Sequence, residues 1–247
     1  MLHYWKADCR RIMKRIPRLI LLAAVFLVDT AIFAMTVREG GWNSVTCLAH
    51  LSNLVSFMPI VFGLIELSAV YGDDFRARIM QVAIGLGISR EKVVLTKYLE
   101  SAFMLLADYL FFGGYFLILA RITGVSLNAE QLVELFIGIG GAWLISLAYT
   151  EITGILTINL QGTGASILIY LALSSTLIRS LLDSVFNLKV IRGLHLSRFL
   201  LTTAGDLLRS RLLLGTFDAA AFVIVLCYLA GAYAVTVLLF RRKELEF

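Results

Sequence analysis

Apolar residues run along the chain in long blocks separated by short polar stretches, and the blocks have the length of a bilayer crossing. Six stand out, at about 19–37, 51–70, 98–120, 131–157, 165–183 and 217–240. A helix needs about 20 mainly apolar residues to cross the hydrocarbon core of a membrane, so each block is read as a span. The breaks between them are polar or glycine-rich: Arg38-Glu39-Gly40-Gly41 after the first, Tyr71-Gly72-Asp73-Asp74 after the second, and Asn159-Leu160-Gln161-Gly162-Thr163-Gly164 after the fourth. No repeat of 20–50 residues and no low-complexity stretch interrupts the series. The pattern predicts an all-α integral membrane protein, a single transmembrane domain over residues 1–247 with six transmembrane helices.

Two segments outside the spans carry helical periodicity. Leu2, Trp5, Cys9, Ile12 and Ile16 step by three and four, which places them on one side of a helix, with Lys6, Arg10, Arg11, Lys14 and Arg15 around the rest. Such a basic helix with a Trp on its apolar stripe suits the anionic interface of a membrane, so 1–16 is predicted to be an interfacial amphipathic helix in contact with lipids. Pro17 then suits the first turn of the next helix. Residues 183–216 are too apolar for a solvated loop, through Leu200-Leu201, Leu207-Leu208 and Leu212-Leu213-Leu214. Arg198, Asp206, Arg209 and Arg211 break them too often for a span. The prediction there is one or two helices that lie at the outer interface or dip back between spans five and six, as a gate or as a surface anchor.

Composition agrees with the pattern and narrows it. The chain is 60% apolar and 16% charged, against about 45–50% and about 25% for soluble domains, and its mean hydropathy is +0.88. These values exclude a soluble enzyme, a disordered tail and a nucleic-acid module. The net charge of +5 reflects basic flanks instead. Of the 22 Lys and Arg, six precede span one, five lie between Arg76 and Lys97, and three follow span six. With the inside-positive bias, that puts both termini in the cytoplasm. Cys9, Cys47 and Cys227 form no CxxC pair, and His3, His50 and His195 cluster with no other ligand, so neither a disulfide framework nor a metal site is expected.

The stretch 71–92 joins spans two and three. Phe75, Ile79 and Val82 share a helical face, Asp73, Asp74, Arg76 and Arg78 take the other, and the two aspartates are read as opening the helix, where its dipole favours them. Gly85 and Gly87 end it, and Ser89 can cap a second helix, with Glu91 in its first turn, that runs on through Lys97. Periodicity alone leaves two readings: a loop dipping its apolar side into lipid, or a knob that docks a soluble partner. The order of residues here (Asp74, Arg76, the apolar stretch 79–84, Gly87-Ile88-Ser89-Arg90, Val93-Val94 and Lys97) resembles the signature of type-2 ABC transporter permeases, a bacterial family of drug, polysaccharide and lantibiotic-protection exporters. The amphipathic N-terminal helix, the long outer segment and the final Phe-Arg-Arg-Lys-Glu are similar to the family as well.

The resemblance implies a cytoplasmic coupling helix formed around Asp73, Asp74, Phe75, Arg76 and Ile79, with Ser89 and Arg90 behind it, seated in a soluble ATP-binding cassette subunit. It further implies two copies of that ATPase, a second copy or paralogue of this permease, the bacterial cell membrane as location, and an extracellular gate in 183–216. A Glu commonly precedes the family's coupling helix; Glu66 or the Asp73–Asp74 pair stands in that place here. No GxxxxGK[ST] occurs in the chain, so ATP and Mg are expected in the partner and no enzymatic activity in this subunit.

Among the acidic residues inside predicted spans, Asp29 and Asp108 lie near the middle of spans one and three, at similar depth, and Glu151 toward the inner end of span four. Glu66 lies likewise toward the inner end of span two, and Glu134 nearer the outside. A carboxylate at a helix centre costs about 2.5–3.5 kcal/mol on insertion scales. They are read either as interhelical hydrogen-bonding groups or as an acidic pathway lining for a cationic substrate. If they couple protons or cations directly, the chain is a six-span secondary transporter or channel-like protein without an ATPase. Lys97 with Glu100, and Arg179 with Asp183, have spacings that allow pairing along a helix. The glycines of Gly138-Ile139-Gly140-Gly141, Gly113-Gly114 and Ala230-Gly231-Ala232 are expected at close helix contacts, not at a phosphate.

Overall fold

In the computed structural model, residues 2–38, 43–76, 79–160, 162–186, 196–213 and 216–242 are described. They form helices α1 (Leu2–Met13), α2 (Ile16–Arg38), α3 (Ser44–Arg76), α4 (Ile79–Gly85), α5 (Arg90–Ile122), α6 (Ala129–Leu160), α7 (Gly164–Ser174), α8 (Thr176–Phe186), α9 (Leu201–Leu213) and α10 (Ala219–Arg242), with a 3-10 turn at Leu196–Phe199. No strand occurs among the described residues. Five helical stretches are long and apolar enough to cross a membrane: Ile16–Arg38, Thr46–Gly72, Arg90–Ile122, Ala129–Leu160 and Ala219–Arg242. The chain is therefore an all-α, multi-pass membrane protein.

Solvent exposure is inverted relative to a soluble bundle. Only Arg18, Asp29 and Phe33 are buried along α2, while Leu27, Val28 and Met35 are exposed. Along α5, Lys97, Glu100, Ser101 and Asp108 are buried while Leu110 and Phe111 face outward. Polar groups thus turn toward protein and apolar ones toward the space lipid would fill, as polar side chains in a bilayer require. At the centre stands α6, packed against α3, α5, α7, α9 and α10.

Both α3 and α5 have 33 residues, about 50 Å at 1.5 Å per residue. That exceeds the ~30 Å hydrocarbon core, so each projects beyond it. The third predicted span accordingly starts earlier than its apolar block. Lys97, in the first turns of α5, is paired with Asp8 and Glu100 within the protein.

The block predicted as span five is two helices. Its first half, α7, has 11 residues, and the backbone turns extended at Ser175 (φ −76°, ψ 143°) before α8 begins. The polar run there explains the break. Ser174 Oγ donates to the Tyr170 carbonyl at 2.7 Å and Ser175 Oγ to the Ala172 carbonyl at 2.7 Å, bonds that compete with the helical ladder. Beyond it, α9 packs along α6 and α10 with Leu201, Ala204 and Leu208 buried. A Cβ at Gly205 would come within 2.5 Å of Ile145 Cδ1, and Ile145 is the midpoint of α6. So α9 packs against the middle of α6.

Close approach occurs at some of the small residues and not others. A Cβ at Gly113 would lie 2.6 Å from Ile139 Cδ1, whereas Gly114, Gly140 and Gly231 have open space around them. The expectation of tight packing at Ala230-Gly231-Ala232 is thereby corrected for its glycine. The tightest fit is at Gly63, where the Tyr170 ring occupies the space of a side chain and its hydroxyl donates to the Pro59 carbonyl. Pro59, inside α3, has no N–H of its own to give to Val55.

Candidate functional site: an exposed apolar ridge and buried ion clusters

At one end of the bundle, α4 hangs between the ends of α3 and α5. Its turn closes through Gly87 N–H donating to the Ile84 carbonyl at 2.9 Å, and Gly87 sits at φ +86°, a conformation that favours glycine. Met80 and Ala83 are buried against the bundle, while Val82 and Leu86 are 58% and 80% exposed. An apolar ridge therefore stands at the tip, outside the spans.

The structure moves the acidic pair. Asp73, Asp74, Phe75 and Arg76 form the last turn of α3, not the first turn of the short helix, which starts at Ile79. The apolar run of the second span carries helical geometry past Gly72, so the pair meets a helix C-terminus, where the dipole does not favour it. The side chains of these five residues, and of Arg179 and Asp183, lie outside the described structure.

Ser89 is the N-cap of α5, in extended conformation and without a side-chain cap bond; its carbonyl accepts from Val93 N–H at 3.1 Å. Arg90 points away from the tip. Its guanidinium donates to the carbonyls of Phe240 and Arg241 at 2.9 and 3.0 Å and lies 5.7 Å from the Phe240 ring centroid. Glu91 pairs with Arg241. The start of α5 is thus fastened to the end of α10, and Arg90 caps a helix C-terminus with positive charge.

Beneath this end, α1 docks on α5 through a buried ion cluster. Lys97, fully buried, donates to Asp8 Oδ2 at 2.5 Å and to Glu100 Oε2 at 2.8 Å, and Arg11 reaches Asp8 Oδ1 at 2.6 Å. Burial works against ionisation of Asp8, but Lys97 and Arg11 outweigh it and hold the carboxyl below its ordinary range. The neighbouring Cys9 thiol is pushed up to about 12, by burial first and then by Glu100 and Asp8, so it is no nucleophile at neutral pH. The apolar stripe of α1 meets protein, with Ile12 buried and Trp5 edge-on to Phe103 at 5.6 Å; Lys6, Arg10 and Lys14 remain exposed.

The three predicted pathway acids are not brought together. Asp108 shares a guanidinium with Glu66: Arg18 Nη2 donates to Asp108 Oδ1 and Nε to Glu66 Oε1, both at 2.5 Å. All three residues are buried. Asp29 accepts from His50 Nε2 at 3.2 Å, eleven residues beyond Arg18 on α2, or about 16 Å along its axis. The expected similar depth of Asp29 and Asp108 is therefore corrected. Glu151, fully buried, takes a hydrogen bond from the Tyr71 hydroxyl at 3.3 Å.

Sequence reasoning paired Lys97 with Glu100 but missed Asp8 and Arg18. Both sit in the basic flank before span one, where Arg18 counts toward orientation. The available signal for Arg18 was that Asp29, Glu66 and Asp108 stood inside spans one to three with no basic residue inside those three spans to match them. Among the described residues no three His, Cys, Asp or Glu side chains converge as metal ligands. No protein-family model and no curated protein matches the chain.

Proposed function

We propose that the chain is the membrane-spanning subunit of an ABC exporter, forming the translocation pathway while a separate soluble ATPase hydrolyses ATP. The observation that carries this reading is the mechanical layout of one end. An apolar ridge, Val82 and Leu86, stands on a short helix slung between α3 and α5, and Arg90 ties α5 to the end of α10. A force on α4 would thus be delivered to three long helices together. In this reading Asp73–Arg76 and Ile79 flank the ridge and touch the ATPase, while Ser89 and Arg90 pass the movement on.

Parity supports six passes. Thr163 lies beside Gly72 at the α4 end, so α6 finishes at that end. The Arg90 contact places the finish of α10 there too, so α10 starts at the far end. The chain between Leu160 and Ala219 then crosses once, through α7 to α9, and with the inside-positive bias the α4 end is cytoplasmic in a bacterial cell membrane.

The test is copurification from native membranes. The tagged chain should bring a soluble ATPase in fixed stoichiometry, and Val82→Asp with Leu86→Asp, or Phe75→Asp, should remove the ATPase while leaving membrane insertion intact. Undiminished ATPase recovery in those variants would overturn the docking assignment. Glu151 supports a second reading, a secondary transporter without an ATPase, because its Oε1 has no partner among the described residues. Transport that needs no ATPase and is lost in Glu151→Gln would favour it.

A further inference from the structure

Within the spans, two buried acids share one buried base. Arg18 Nε donates to Glu66 Oε1 and Nη2 to Asp108 Oδ1, both at 2.5 Å. The three side chains are 6%, 0% and 7% exposed, so solvent screens them little. The Lys97 cluster balances its charges, with Asp8 and Glu100 against Lys97 and Arg11. This one does not. With both acids ionised it carries one negative charge in excess, inside a membrane protein, where an uncompensated charge is costly.

The geometry shows what would restore the balance. A guanidinium edge carries two parallel N–H bonds and commonly takes both oxygens of one carboxylate. Here that edge takes one oxygen from each of two acids, and the carboxyls lie within hydrogen-bond reach of each other. Their second oxygens, Glu66 Oε2 and Asp108 Oδ2, are buried and accept no hydrogen bond among the described residues. Two ionised carboxylates are acceptors only, and they repel at that range. One proton between them turns the contact into a hydrogen bond and cancels the excess charge. A hard metal cation suits the place less well, since it takes about six oxygen ligands and here two oxygens stand beside a guanidinium.

The packed helices bring little else that is charged. Arg18 comes from α2, Glu66 from α3 and Asp108 from α5, and no charged group of α6 or α7 acts on either acid among the described residues. Arg15 donates to the Ser68 carbonyl at 2.6 Å. The Tyr109 phenol, which feels Asp108, shares a hydrogen bond with Ser146 of α6 at 2.7 Å.

We propose that Glu66 and Asp108 hold one proton between them beside Arg18, forming a proton-binding site that joins α2, α3 and α5. The proton belongs to the pair and not to either residue. It comes from water and returns to water, with no other bond changed. Arg18 is one of three buried residues along α2. Releasing the proton in place would strand a negative charge, so release accompanies parting of α2 from α3 and α5, which admits water. Proton occupancy and the position of α2 are thereby linked in both directions. The site goes beyond the exporter reading and stands without it.

The test is infrared difference spectroscopy on the purified chain in lipid nanodiscs at neutral pH, read at the carbonyl stretch of protonated carboxyls. Bands from other buried acids cancel in the difference. Glu66→Gln and Asp108→Asn each leave Arg18 with a single acid, so each is expected to lose one carboxylic-acid band, and the double variant no more than either single. The amides are close in shape and offer an N–H in place of the shared proton, so both singles should melt near the unmodified chain. Each single tests the site by itself, should the other fail to fold. Retention of the band in a folded single variant would overturn the site. Loss of a second band in the double variant would do so too, as would a band in the unmodified chain that appears only in buffers free of sodium and potassium. No ATPase is present, so failure here is separate from failure of the copurification test.

Discussion

Arg18 holds two carboxylates with one guanidinium, and removing it would leave both buried without a counter-charge. Breaking a buried ion pair from one side typically costs about 3–5 kcal/mol. Arg18→Met is therefore expected to lower thermal stability in detergent by about that amount, whereas Arg18→Met with Glu66→Gln and Asp108→Asn should recover most of it. A triple variant no more stable than the single one would show that the guanidinium holds the helices by shape and not by charge. Gly63 makes a purely steric prediction. A methyl there would meet the Tyr170 hydroxyl, and overpacking of this kind costs about 1–3 kcal/mol. Gly63→Ala should destabilise the protein within that range, and adding Tyr170→Phe, which deletes the clashing oxygen, should relieve part of it in the same melting assay. Gly63 could not be singled out from the sequence, because it owes its role to a partner more than a hundred positions away.

Elements are legible where one face of a helix repeats, and less so where a helix must be interrupted. The stripe of α1 announced an amphipathic helix, yet its docking on α5 depends on Asp8 finding Lys97 across 89 positions, which no periodicity encodes. That docking titrates. The folded carboxyl of Asp8 lies below its ordinary value of about 3.9, so its contribution is fully present above that value and is lost as pH falls through the folded one. In a background with Trp42 and Trp143 replaced by Phe, emission from Trp5 should stay constant from pH 7 to about pH 4. It should change below that as α1 leaves Phe103, while Asp8→Asn should already show the altered emission at pH 7. Identical profiles would remove Asp8 from the docking. At the other junction, Arg90→Ala should uncap α10. Amide exchange in its last turn is expected to quicken several-fold, consistent with the loss of about 1 kcal/mol at a capped end, with the middle of α10 unchanged. The broken span was the least legible element: 165–183 has the composition of a full crossing, and only the adjacent Ser174, Ser175 and Thr176 hinted that local hydrogen bonds would beat the helical ladder.

For the whole molecule, hydropathy gave the class and most of the crossings because the bilayer imposes one length on every span, while the arrangement of charge inside it came from side chains meeting across helices. Orientation remains a matter of charge counting plus parity, and it can be decided directly. Three exposed positions mark the two ends: Leu86 on the ridge of α4, Asn128 at the start of α6, and Arg198 in the 3-10 turn before α9. Introduced singly as cysteines in a Cys227→Ala background, with Cys9 and Cys47 already buried, they should sort by side in intact cells. The substitutions Asn128→Cys and Arg198→Cys are expected to react with a membrane-impermeant maleimide added outside, and Leu86→Cys only after the membrane is opened. If Leu86→Cys labels from outside while the other two are protected, the ridge faces away from any cytoplasmic ATPase and the exporter proposal falls. If Arg198→Cys alone is protected, the crossing between Leu160 and Ala219 has been miscounted. That second outcome would leave the docking ridge in place but take away the six-pass topology, because α10 would then have to begin at the same end where it finishes, which the Arg90 contact with its last turn and its length of 24 residues do not allow without a hairpin.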